Sequence, residues 1–360
     1  MKGHDMFKKV WGKAPSGEDI RMYTIARGGL SATIMNYGAI VLDLYVPFPD
    51  AAEPVDVALG YSNLTNYYVN DPCFGSPIGR NANRIGGASF VLDGRRYELS
   101  KNDGENNLHS GPDRYNNRIW DVTSDTDDSI TFVIDSPHGD QGFPGNFRMT
   151  VSYTITENKE LVIDYSGRSD RKTVWNPTFH GYFNLAGQGN GDIKKHDLTV
   201  FADRVTYAGP DSIPDGTYRD VAGTPMDFRT PRVIGVDVDS DYDLIAFAKG
   251  YDHNWALNRT EDLHESALDT KGLTIYKDAI LHEPRFDRSV TVFSDQPGIQ
   301  VYTGNYITNT FGKGGFSYGR RSGIALETQY FPNNLNVDGF EKAIIPADTD
   351  VYHRTAYRFN

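Results

Sequence analysis

The sequence holds one cysteine, Cys73, among 360 residues. A single thiol excludes an internal disulfide and any cysteine-based zinc cage. No Cys–His signature surrounds it, so Cys73 reads as a small buried hydrophobe. Long apolar runs are missing as well. The most apolar window, Ala39 to Phe48, is interrupted by Asp43 and too short to cross a bilayer. Met1 to Asp19 is polar and charged and lacks the apolar core of a signal peptide, so a cytoplasmic protein with no membrane partner is expected. Basic residues are outnumbered, with 36 Lys and Arg against 48 Asp and Glu and a net charge of −12. That balance disfavours nucleic acid and anionic membranes, both of which reward clustered Lys and Arg. No two histidines have HExxH or similar spacing, so no protein-held metal is expected.

Helical periodicity is also absent: nowhere do apolar residues hold a 3.6 spacing through three turns. Ser62 to Asn70 and Leu263 to Leu268 are at most short helices. What is present is a period of two. Phe147, Met149, Val151, Tyr153 and Ile155 alternate with polar residues, and Leu161, Ile163 and Tyr165 resume the pattern after a turn at 157–160. Asp93-Gly94 separates two short strands and suits the positive φ angles of a tight hairpin. Another turn falls at Gln296-Pro297-Gly298. Parallel βαβ units need crossover helices, and none can be found. The pattern predicts an all-β fold, a large antiparallel sandwich or barrel, as one domain over 1–360. The 12% aromatic content supplies ample surface to bury.

Several segments place polar groups on strands. If Thr178 to Leu185 is extended, His180, Tyr182 and Asn184 face one way and Phe179, Phe183 and Leu185 the other. Such a strand carries either a functional face or merely a wet one. Glu327 sits mid-strand in SGIALETQYFP, where an unpaired carboxylate is costly. It is either a paired structural ion or a tuned acid/base group. Asn83 and Arg84 precede a strand, His109 lies in a turn-rich loop, Asp252 opens an apolar strand, and Gln300 and Tyr302 share a strand face. Together these planar donors and acceptors match sugar hydroxyls. Two decoys are set aside. The Asp237 to Asp243 run lacks the glycine and bidentate Glu of a calcium loop. Gly312 to Gly323 lacks a G-K-[ST] ending and reads as a mobile loop, with Arg320 and Arg321 as candidate anion contacts.

The ordered set GRNANRI, FVLDGRRYEL, NNLHSG, GFPGNF, NPTFHGYFNLAG, TPMDFR, YDHNW, PGIQVYTGN and ALETQYFP resembles the aldose 1-epimerase (galactose mutarotase) family. The resemblance implies a β-sandwich of the supersandwich type with few short helices, acting on free monosaccharides without a cofactor, as a monomer or homodimer. It places the general acid on His180 and the general base on Glu327, with Asn83, Arg84, His109, Tyr182, Asp252 and Gln300 contacting the sugar. Two features depart from the family pattern. Ser110 stands where a second glycine is common, with an atypical segment from Asp113 to Arg118, and Gly181 stands where Ser or Ala is common.

The implied reaction converts α and β anomers of aldohexoses such as galactose or glucose by opening and reclosing the hemiacetal. A base removes the C1 hydroxyl proton while an acid protonates the ring oxygen. For His180 to serve as the acid, a neighbouring carboxylate such as Glu327 or Asp252 must favour its imidazolium form. The alternatives are a hexose-6-phosphate 1-epimerase, which needs a phosphate clamp, and a non-catalytic sugar-binding protein.

Overall fold

The computed structural model describes residues 8–360, so Met1 to Phe7 of the polar N-terminal stretch lie outside the described residues. Every ladder between its strands is antiparallel, and three sheets dominate. The largest has nine strands, in the order Asp121–Asp125, Ser129–Ser136, Phe147–Ile155, Glu160–Ser169, Val351–Phe359, Arg288–Ser294, Tyr276–Glu283, Asp197–Val200 and Arg232–Val233. A six-stranded sheet runs Tyr182–Phe183, Ile324–Gln329, Gly298–Tyr302, Asp252–Ala256, Arg204–Ala208, Pro214–Asp220. A five-stranded meander, Lys8–Lys13 to Val55–Asp56, opens the described chain.

Alternation decides which face is buried. Phe147, Met149, Val151, Tyr153 and Ile155 are all in the core, and Ile155 pairs with Leu161 across the expected turn. Asp93 and Gly94 both adopt positive φ, 50° and 76°, which matches the strand twist at a two-residue hairpin. Val205, Trp255, Ile299, Val301, Ile324 and Leu326 of the six-stranded sheet share one core cluster with Ile163, Val290, Val292, Tyr357 and Phe359 of the nine-stranded sheet. Two hydrogen bonds cross between the sheets, Tyr357 Oη to the Leu326 carbonyl at 2.9 Å and Thr328 Oγ1 with Thr355 Oγ1 at 2.6 Å. The opposite face of the six-stranded sheet is thereby freed for polar groups.

Two local expectations gain detail and one is corrected. The turn at Gln296-Pro297-Gly298 carries the chain from the nine-stranded to the six-stranded sheet. The Leu263 to Leu268 stretch is two separate 3₁₀ turns, whereas Leu64–Tyr67 is helical, capped by Asn63 accepting from the Asn66 N–H at 3.1 Å. Gly312 to Gly323 is held rather than loose. Lys313 is buried and donates to Leu42 O at 2.8 Å, Asp43 at 3.1 Å and Asp56 at 2.5 Å. Arg321 is bound by Asp239 at 2.8 Å and the Val238 carbonyl, and Arg320 by Asp239 and the Lys249 carbonyl, so neither arginine is a free anion contact. No helix among the described residues is long and apolar enough to cross a membrane.

Candidate active site

Register on the six-stranded sheet lines up the polar groups. Asp252, Tyr302, Ala325 and Tyr182 form one cross-strand row. Asn254, Gln300 and Glu327 form the next, two residues along each strand. Directly opposed residues share a face, so these two rows make one polar floor.

The expected continuous strand from Thr178 to Leu185 is broken. Thr178–His180 pairs with Ser76–Ile78, and Tyr182–Phe183 pairs instead with Ile324 and Ala325. Gly181 stands at the break, where an added Cβ would lie 2.2 Å from the Phe179 ring. That crowding explains glycine in place of Ser or Ala. His180 and Tyr182 still reach the site together, ring centroids 5.1 Å apart, while Phe179, Phe183 and Leu185 enter the core. Asn184 does not join them. It donates to the Gly191 and Ser322 carbonyls and accepts from the Ala186 N–H, which is turn-building work.

His180 Nε2 lies 3.5 Å from Glu327 Oε1, with both side chains almost wholly buried. Glu327 Oε2 and His180 Nδ1 have no hydrogen-bond partner. The His109 ring stands edge-on to His180 at 5.3 Å. A reciprocal clamp fixes it: the His109 N–H donates to Asn83 O at 3.0 Å, and the Asn83 N–H donates to His109 Nδ1 at 3.2 Å. Asn83, His109 and the adjoining Ser110 all have positive φ (56°, 51° and 70°), so the clamp and its neighbour sit in the left-handed region. Asn83 Oδ1 accepts from the Arg84 N–H, and Arg84 Nε is held by Asp103 at 2.7 Å. Gln300 Nε2 donates to Asp252 Oδ1 at 2.7 Å, leaving Gln300 Oε1 unpartnered. The eight residues that the resemblance assigns to the site therefore all lie on this floor or border it.

One donor atom each from His109, His180 and Glu327 lies within 4.8 Å of the others, a spacing a metal ion could bridge. The clamp argues against that use. Because His109 Nδ1 accepts a backbone N–H, the ring proton must sit on Nε2. Ligation through Nε2 would cost that proton or that hydrogen bond. The tautomer instead makes His109 a hydrogen-bond donor.

The electrostatics correct one expectation. Burial, the dominant influence, pushes His180 down to about 3 and His109 down as well. Burial likewise pushes Glu327 well above 4.5, with Asp252 adding to the rise and Arg84 opposing it. Carboxylates therefore do not hold His180 as imidazolium in the free protein, because desolvation outweighs them. Asn254, which shares the YDHNW segment with Asp252, is not among the residues the resemblance assigns to the site. It is buried in the Glu327 row with both amide atoms unpaired, and its alternation with Asp252 was the available signal.

The family described as Aldose 1-epimerase matches residues 21–358. Galactose mutarotase of Sus scrofa is 33% identical over 355 residues, 98% of each chain. Aldose 1-epimerase of Escherichia coli K12 is 32% identical over 329 residues, 90% of each chain. Among solved structures, an aldose epimerase homologue from C. elegans superposes with a TM-score of 0.84 at 23% identity, covering 94% of this chain and 98% of that one. Galactose 1-epimerase of Lactobacillus acidophilus gives 0.83 at 22% identity, covering 99% and 98%. Full-length similarity at this level, on a strand-built sandwich of the same fold, means that the chain belongs to the aldose 1-epimerase family, isomerases of the mutarotase type.

Proposed function

We propose that the protein interconverts the α and β anomers of free aldohexoses such as galactose or glucose, with His180 as acid and Glu327 as base. The observation that carries this reading is the buried His180–Glu327 pair at 3.5 Å, flanked by polar atoms without protein partners. Glu327 takes the C1 hydroxyl proton while His180 gives one to the ring oxygen, and the roles reverse on closure. Arg84, His109 Nε2–H and Gln300 Oε1 offer donors and an acceptor to the remaining hydroxyls, with Asn83, Asp252 and Tyr182 shaping their positions. Residues 1–360 act as one domain, a reading supported by a single core cluster running from Tyr23 to Phe359. A cytoplasmic setting and a monomeric or homodimeric state complete it. The hexose-6-phosphate alternative loses its expected clamp, since Arg320 and Arg321 are already engaged.

One proton serves the pair. In the free protein, desolvation leaves it on the carboxyl; bound sugar hydroxyls favour the carboxylate and imidazolium and so move it to the acid. This gives a bell-shaped dependence of kcat/KM on pH. With His180 near 3 and Glu327 raised, activity falls at low pH as the imidazole takes a second proton. It falls again at high pH as the proton leaves the raised Glu327 level. An alkaline limb at the ordinary glutamate value of 4.5 would contradict the assignment.

Polarimetry of freshly dissolved α-galactose tests the activity itself. Optical rotation is expected to relax faster with protein than in buffer. Measurable galactose binding without acceleration would make the protein a sugar-binding module instead.

A further inference from the structure

The strand carrying His180 parts from the strand carrying Glu327. Tyr182 and Phe183 pair with Ala325 and Ile324, and two further steps along that antiparallel ladder would set His180 directly opposite Glu327. Instead Thr178–His180 turns aside and pairs with Ser76–Ile78. Beyond Ala325 the strand Ile324–Gln329 therefore has no outer neighbour in its sheet, although every residue of it is buried. Backbone groups in that position still need partners. Two side chains from the acid's own segment supply them. Thr178 Oγ1 donates to the Thr328 carbonyl at 2.9 Å, and Asn176 Oδ1 accepts from the Tyr330 N–H at 2.9 Å. Thr178 and Asn176 are fully buried and stand two and four residues before the acid, while Thr328 directly follows the base.

A ladder fixes the spacing and register of two strands by repeated backbone bonds. Where the ladder is lost, the separation of acid and base depends on whatever else ties their strands together. We propose that Thr178 is a positioning residue for the acid–base pair. Its hydroxyl bond to Thr328, seconded by Asn176, replaces the lost ladder and holds His180 Nε2 and Glu327 Oε1 at their 3.5 Å separation. The bond lies one residue from the base and two from the acid, so little chain can absorb a shift between them. Thr178 acts through His180 and Glu327 and not on the sugar, and its role rests on the epimerase reading above.

The test measures kcat and KM for galactose, by NMR exchange between anomers, in wild type, Thr178→Val, Thr178→Ser, Glu327→Gln and the variant carrying both Thr178→Val and Glu327→Gln. Val keeps the branched shape without the donor, and Ser keeps the donor. Thr178→Val should lose about 10-fold or more in kcat, since a misplacement of about 1 Å can cost about 100-fold, with KM within about threefold of wild type. Thr178→Ser should stay within about threefold on both constants. In the Glu327→Gln background the Val substitution should cost at most about twofold, because the base it positions is already gone. An undiminished kcat in Thr178→Val, a loss that falls on KM, a Ser variant as impaired as Val, or equal losses with and without Glu327 would each overturn the assignment. If Thr178→Val does not fold, Thr178→Ala removes the same donor and carries the same expectations. Wild type that accelerates no sugar would instead refute the epimerase reading.

Discussion

Glu327→Gln and His180→Asn are each expected to lower kcat for galactose mutarotation by at least about 100-fold, the usual worth of a positioned acid or base. Gln keeps the volume and planar end of Glu327 but can neither take nor give the anomeric proton. Asn at 180 removes the imidazole from a strand whose pairing with Ser76–Ile78 is made by backbone. Losses below tenfold in both variants would sink the acid/base assignment. The Gln variant has a second expected signature. Glu327 has a raised pKa in the folded state, so the stability it contributes is present below its unfolded value and is lost as pH rises through the folded one. Gln does not titrate. The Tm of Glu327→Gln should therefore move above that of wild type as pH rises, at about 1–2 °C per kcal/mol recovered for a domain of this size. A fall in both activity and Tm at alkaline pH would indicate a damaged fold rather than a missing base.

Lys313→Met is expected to destabilise the protein by about 3–5 kcal/mol, measured by urea unfolding, because it strands a buried carboxylate. The Lys313 and Asp56 side chains are 9% and 12% exposed, so solvent screens this pair poorly. Burial pushes the Asp56 carboxyl upward, and the Lys313 ammonium is what holds it down. Removing the ammonium leaves Asp56 to protonate or to pay its full desolvation. Adding Asp56→Asn to Lys313→Met should restore much of the loss, since the pair together is worth far less than either partner left alone. A single-variant loss under about 1 kcal/mol would show that the pair is solvated. The cluster also ties the Lys313–Gly315 turn to the N-terminal meander through Leu42, Asp43 and Asp56.

The all-β class was legible because strand alternation is a local signal, and Phe147 to Ile155 carries it without interruption. Gly181 shows where local reading ends. Alternation alone passes through it, and only the Phe179 ring beside it, a tertiary contact, reveals the break. The transfer between sheets at Pro297 was unreadable for the same reason, since period two does not say which sheet a strand joins. The helix Asp243–Ala248 is under two turns, too short for periodicity to register. His180 and Glu327 were singled out through an ordered motif set, yet their protonation could not be read from it. Burial from several strands sets it, and it reversed the expectation of a standing imidazolium. Likewise the anchoring of Arg320, Arg321 and Lys313 depends on partners far away in the chain, Lys313 and Asp56 being 257 residues apart.

The strand Val351–Phe359 lies in the middle of the nine-stranded sheet, between Glu160–Ser169 and Arg288–Ser294. Its Arg358 binds Glu160 across 198 residues of sequence. On the ribosome, Glu160–Ser169 is therefore made long before the neighbour it needs. Until Val351–Phe359 emerges, the nascent chain carries two unfilled sheet edges, which are natural templates for wrong partners. The sheet behind the polar floor can close only once Val351–Phe359 has been made. Yield in a heterologous host should then depend on chaperone supply and elongation rate more than on final stability.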